Sequence, residues 1–258
     1  MAAGTARTSF ALIAAALLSG PFGAPLAAQR NQPIYPAYDG YITNADGSYT
    51  ISYAYFSHNA EVVTIAPGGD NQFSPAPRDR QQPTTFHPGH NRFQCVMVVG
   101  PDFDGKLTWT LTYAGTTTGT SQSMLQSNWF LVEGAAQLKA VDFSNAPKGV
   151  CLNQPPNVRV LGAAGRGRGT LPSMTATVGD ALNLFGSVSD EGLPRSGALT
   201  VAWKQVGGPG AVTFENAAAA RTRARFSAPG TYELELSATD SELARNARIN
   251  VVVSGPKH

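Results

Sequence analysis

The sequence predicts an all-β protein with two β-sandwich-like domains, and three observations carry that reading. Apolar and polar residues alternate with period two over many short stretches, separated by clusters of Gly, Pro, Asn and Asp. Hydrophobic residues make up 42% of the 258-residue chain and charged residues only 14%, so a sizeable core is available and Ser, Thr and turn formers fill the rest. Helical periodicity is weak throughout, with room for a turn or two at 124–131 and 135–141.

The first 28 residues read as a secretory signal. Arg7 supplies a positive start and residues 10–18 form an apolar run. Helix breakers follow at Gly20, Pro21, Gly23 and Pro25, and Leu26-Ala27-Ala28 offers small residues for cleavage. The run is too short to span a bilayer, and no other apolar stretch is longer, so no transmembrane segment is expected in the mature chain. The expected location is the periplasm or the exterior.

Residues 29–152 read as a first β-rich domain. A strand over 38–43 meets the turn Asn44-Ala45-Asp46-Gly47. In the next strand, 48–56, Tyr49, Ile51, Tyr53 and Tyr55 share one face, with Ser48, Thr50 and Ser52 on the other. A third strand is expected over 61–65 and a long Pro-, Gly- and Asn-rich loop over 67–82. Phe93, Cys95, Met97 and Val99 alternate with Gln94, Val96 and Val98, the pattern of a central strand. Leu107, Trp109, Leu111 and Tyr113 alternate with Lys106, Thr108, Thr110 and Thr112, which predicts one wet face. A flexible loop over 115–123 and a short strand over 128–132 complete the domain. The stretches Asp46-Gly47-Ser48-Tyr49-Thr50, Tyr55-Phe56 and Pro88-Gly89-His90-Asn91-Arg92-Phe93 resemble exported bacterial β-rich domains, a likeness that implies no activity.

The two cysteines, Cys95 and Cys151, are expected to pair in an oxidising compartment, the alternative being two separate thiols. Pro155-Pro156 and Gly165-Arg166-Gly167-Arg168-Gly169 then mark a junction or a lead-in to a second domain, 153–258. Two arginines there, with a net charge of +2 for the chain, are far from the basic field that phosphate binding needs, so no nucleic-acid partner is expected.

In the second domain Val178-Gly179-Asp180 leads into a strand over 181–186, and Ser189-Asp190-Glu191-Gly192-Leu193-Pro194 makes a loop. Leu199-Thr200-Val201-Ala202-Trp203 carries a large ring mid-strand, where a sandwich core wants one. Pro229-Gly230-Thr231-Tyr232 places a tyrosine at the start of a strand after a corner. Leu236-Ser237-Ala238-Thr239-Asp240-Ser241-Glu242 leads to a last strand over 249–253. In combination these residues resemble the PKD-like domain family, including PKD domains of the receptor-for-egg-jelly type. The resemblance implies an immunoglobulin-like β-sandwich used for extracellular spacing, adhesion or binding, with no catalysis. The Ala217–Ala220 run and the Gly-Arg insertion depart from the usual pattern.

Three groups of residues are site candidates. His58, His87 and His90 would suit a metal if they converged, but His87-Pro88-Gly89-His90 reads more simply as a turn with exposed rings. Asp190, Glu191, Asp240 and Glu242 lie in loops and would hold Ca²⁺ if they met at one end of the sandwich; Asp in turns is the plainer reading. Exposed aromatics stack on sugars, and Tyr35, Tyr38 and Tyr41 near the start of the first domain are the ligand-binding candidates. Trp203 and Tyr232 are expected in the core. Motifs for an activated nucleophile, a zinc helix or a phosphate loop are missing from the sequence, so a non-enzymatic protein is expected, with no cofactor unless calcium. The expected partner is an envelope or extracellular polysaccharide, or another exported protein. Two other readings remain open: a self-assembling structural subunit, and a metal-dependent enzyme built on His58, His87 and His90.

Overall fold

The computed structural model describes residues 31–120, 123–131, 141–162 and 171–256. The expected leader, most of the 135–141 stretch and the Gly-Arg run lie outside them. Among the described residues no helix is long and apolar enough to cross a membrane. The protein is all-β, with two hydrophobic clusters.

The first cluster is enclosed by eight strands. β1 (Ile34–Thr43), β2 (Tyr49–Ser57) and β6 (Gly89–Val99) form one antiparallel sheet with β2 central. The expected turn closes the first hairpin: Asn44 N–H donates to the Ser48 carbonyl at 2.8 Å, and Asp46 Oδ1 accepts from the Ser48 amide and hydroxyl. A second sheet holds β4 (Asn71–Ser74), β7 (Thr108–Tyr113) and β8 (Thr116–Gly119). β3 (Val63–Thr64) and β5 (Thr85–Phe86) make a two-stranded ladder.

Several expectations need correction. The third strand shrinks to Val63–Thr64. The 67–82 loop contains β4, because Phe73 buries fully against Trp109, with the rings stacked at 5.9 Å. Thr116–Gly119 is a strand, since β-branched threonines favour the extended backbone that pairs with β7. Residues Ser127–Trp129 form a single 3₁₀ turn where a strand was expected, and only Phe130 bridges to Tyr41. Ser48, Thr50 and Ser52 are buried, so this face of β2 reaches solvent only toward Phe56.

Tyr38 and Tyr41 are core residues. Three positions apart, they would face opposite ways on a regular strand. A bulge between Tyr38 and Gly40 resets the alternation and turns both rings inward. Gly40 permits it: φ is +131°, and a Cβ there would lie 2.4 Å from the Trp129 carbonyl oxygen.

Asn71 organises the floor of this core. Its Nδ2 donates to the carbonyls of Ile65 (3.1 Å) and Pro83 (2.8 Å), its Oδ1 accepts from Trp109 Nε1 (2.9 Å), and its own carbonyl accepts from Gln82 Nε2 (2.8 Å). Asn71→Ala would leave three buried groups unpaired, and a loss of about 3 kcal/mol is expected, read as the shift in a urea unfolding midpoint. A loss below about 1 kcal/mol would show that water replaces the side chain.

The second cluster lies between two four-stranded sheets. One has the order β13 (Val212–Phe214), β14 (Arg221–Phe226), β11 (Leu182–Ser189), β9 (Asn157–Leu161). The other runs β10 (Ser173–Thr177), β16 (Ala244–Ser254), β15 (Gly230–Thr239), β12 (Thr200–Gly207), with β10 parallel to β16. This is the strand arrangement of an immunoglobulin-like sandwich. Trp203 on β12 is buried and donates Nε1–H to the Ala220 carbonyl at 3.1 Å. Tyr232 at the start of β15 is fully buried, and its hydroxyl donates back to the Ala228 carbonyl at 2.8 Å, the tyrosine corner its position predicts. Cys95 and Cys151 are joined in a disulfide that ties the chain entering the sandwich to β6.

Candidate functional site

Two features concentrate chemistry: the junction between the two clusters, and an aromatic row on the first sheet.

The loop after β11 builds the junction by reaching into the first cluster. The amides of Thr84 and Thr85 both donate to the Glu191 carbonyl, at 3.0 and 3.1 Å. Leu193, from the same loop, is buried within the first cluster's core. Arg195 pairs with Asp79 at 2.7 Å and donates to the Gln82 carbonyl. His87 Nε2 lies 2.8 Å from the Asp190 carbonyl oxygen and 3.2 Å from the Asp190 amide nitrogen, donating to the first or accepting from the second according to its tautomer. Gly192 makes the approach possible: its φ is +85°, and a Cβ would lie 2.3 Å from Thr84 Oγ1.

This docking buries carboxylates. Asp190, Glu191 and Asp240 are each less than a tenth exposed. Glu191 Oε1 accepts the Gln154 amide at 2.8 Å, and Gln154 Nε2 donates to the Phe93 carbonyl. Burial pushes the Glu191 carboxyl up to about 8; the Gln154 amide opposes the rise, while the Asp190 and Asp240 charges add to it. Burial likewise raises Asp190, against the pull of the Gly192 amide. Asp190 Oδ2 and Asp240 Oδ2 are buried without a hydrogen-bond partner. Both residues line a cavity of about 450 Å³ beside Thr84, His87 and Arg195.

The expected calcium set does not assemble. Among the described residues no three His, Cys, Asp or Glu side chains meet as a group that could hold a metal ion. Glu191 is turned to the Gln154 amide, Asp240 Oδ1 accepts the amides of Glu242 and Leu243, and Oε2 of exposed Glu242 accepts from Asn153 Nδ2. His58, His87 and His90 do not converge either: His87 sits at the junction, whereas His58 and His90 flank Phe56.

Those two histidines belong to the aromatic row. Tyr35 is paired with Phe56 across β1 and β2, and Phe56 with His90 across β2 and β6. Tyr35 is 43% exposed and Phe56 36%, and His58 and His90 are also exposed. The His58 ring packs edge-on against both, 5.9 Å from Tyr35 and 4.5 Å from Phe56. Of the three tyrosines expected at a binding surface, Tyr35 alone is there. The alternation of β2 points to Phe56 as well, because it falls opposite the face of Tyr49, Ile51, Tyr53 and Tyr55.

A groove of about 430 Å³ opens at the junction, with His87 and Asp190 in its wall. Arg92, Gln94, Gln154, Arg159, Glu191 and Arg245 are among its walls. No pattern in the sequence marks these arginines, since β6, β9 and β16 bring them together only on folding.

No known protein-family profile matches the chain. Among solved structures, it is similar to the PKD domain of the KIAA 1837 protein, at 24% identity over 38% of this chain and 94% of that one, TM-score 0.27. It is also similar to fibronectin(III)-like modules of Clostridium thermocellum CbhA, at 11% identity over 86% of this chain and 97% of that one, TM-score 0.27. Drosophila N-cadherin aligns at 10% identity over 86% of this chain and 68% of that one, TM-score 0.30. The immunoglobulin-like architecture itself rests on the strand order and register of this chain.

Proposed function

We propose that the protein is an exported, non-enzymatic binding module in which residues 29–152 recognise an envelope or extracellular polysaccharide and residues 153–258 are a PKD-type spacer. The observation that carries this reading is the exposed row of Tyr35, Phe56, His58 and His90. Rings held on a sheet present an apolar surface, which the C–H faces of sugar rings cover while their hydroxyls stay in water. The disulfide supports an oxidising compartment, and the apolar run of residues 10–18 supports export.

The test is retention of the mature protein on insoluble and envelope polysaccharides. The wild type is expected to bind at least one of them. Tyr35→Ala with Phe56→Ala is expected to weaken that binding by about tenfold or more, with the fold retained and a small loss of stability, because the two half-buried rings pair across β1 and β2. Undiminished retention of the double variant would end this reading. In that case sedimentation at rising concentration would test assembly through the sandwich's edge strands.

A further inference from the structure

We propose that the groove beside the aromatic row is a subsite for the carboxylate groups of an acidic polysaccharide, read by Arg92, Arg159 and Arg245. This deepens the polysaccharide reading and rests on it.

The row and the groove share β6, although no ring of the row itself lines the groove. His90 closes the row and Arg92 lines the groove, two residues apart on β6. Two strand residues span about 7 Å, within the length of one or two sugar units. A polymer lying on Tyr35 and Phe56 is thereby led toward the guanidinium groups.

The charges decide what it meets there. Among the described residues no ion pair engages Arg159 or Arg245, and both are exposed. Arg92 is held in place: Nε donates to Asp39 Oδ1 at 2.7 Å, and the guanidinium carbon sits 4.6 Å from the Phe93 ring centre. That leaves its terminal nitrogens for an incoming anion, in the planar fork that matches a carboxylate. Two acids share the groove, Asp190 and Glu191. Glu191, with its carboxyl at about 8, is neutral at pH 7 and does not cancel the arginines. Gln94 and exposed Asn157 add amides suited to sugar hydroxyls.

The experiment compares polygalacturonate with its carboxyl-reduced neutral counterpart, which keeps the backbone and loses the charge, by affinity electrophoresis and calorimetry of the mature protein. At low salt the wild type is expected to prefer the acidic polymer by about tenfold, and 0.5 M NaCl is expected to erase most of the preference. Arg159→Gln with Arg245→Gln should bring the two affinities within about twofold, leaving the neutral polymer's affinity unchanged. Phe56→Ala should lower both. Equal wild-type affinities, or a preference that survives the double arginine variant, would overturn the subsite while leaving the aromatic row standing. A preference that vanishes with the arginines but ignores Phe56→Ala would uphold the groove and remove the row. If the wild type binds neither polymer, the acidic-polysaccharide subsite is wrong.

Discussion

Replacing Cys95 and Cys151 together by alanine is expected to lower the unfolding temperature of the first cluster by roughly 15 °C, because the cross-link stabilises by about 4 kcal/mol in the chain-entropy model. The bond closes a loop with a sequence separation of 56, and both cysteines are buried. It also holds a neighbouring ladder in register: Val98 N–H donates to the Pro147 carbonyl, Gly149 N–H to the Val98 carbonyl, and Leu152 N–H to the Val96 carbonyl. Alanine is the informative replacement, since serine would add two buried hydroxyls needing partners. Scanning calorimetry with and without reductant makes the measurement. A shift under about 3 °C would mean that the ladder and the Tyr-rich core hold 146–152 in place without the bond.

The second large effect is one of pH. Glu191 titrates near its ordinary 4.5 when unfolded and at about 8 when the junction is docked. The folded state therefore binds the proton more tightly, so its stabilising contribution is complete below pH 4.5 and lost progressively as pH rises to about 8. At about 1.4 kcal/mol per unit, the full change is on the order of 5 kcal/mol, limited by what it takes to undock the loop. Undocking is the cheaper response, because it hydrates the carboxylate and withdraws only Leu193 from the first core. The amides of Thr84 and Thr85, which donate to the Glu191 carbonyl, would exchange faster as a result. Glu191→Gln keeps an oxygen for the Gln154 amide and carries no charge, so its junction is expected to stay closed across this range. His87, Asp190 and Asp240 face the same loop in both proteins, so the difference between them isolates Glu191. Matching pH dependence of protection at Thr84 and Thr85, after correction for intrinsic exchange, would refute the assignment.

Much of the architecture was legible because period-two alternation survives in single strands. Trp203, Tyr232 and the Leu107–Tyr113 stretch declare their faces without reference to any neighbour. Tyr38 and Tyr41 did not, since one bulge shifts the parity and a bulge leaves little trace in composition. β4 escaped because Asn71 and Gln72 are poor strand formers; a hydrogen-bond hub and a Trp–Phe stack hold it in place. In the aromatic row Tyr35 was marked by its place near the start of the domain, whereas Phe56 is legible only from the alternation of β2. The junction was invisible for a different reason. Its main bonds join backbone atoms of Thr84 and Thr85 to Glu191, and backbone atoms are common to every residue. Three arginines on three separate strands equally form no motif until the chain folds.

The parallel pairing of β10 with β16 gives the second sandwich a particular response to tension. Ser173–Thr177 lies alongside Asn250–Ser254, with the two strands running the same way. A pull on the chain entering β10 and leaving β16 drags the strands past each other, so every rung is loaded together instead of opening in turn from one end. Resistance to rupture then grows with the number of rungs. In the spacer role proposed for it, the sandwich would keep its length under load.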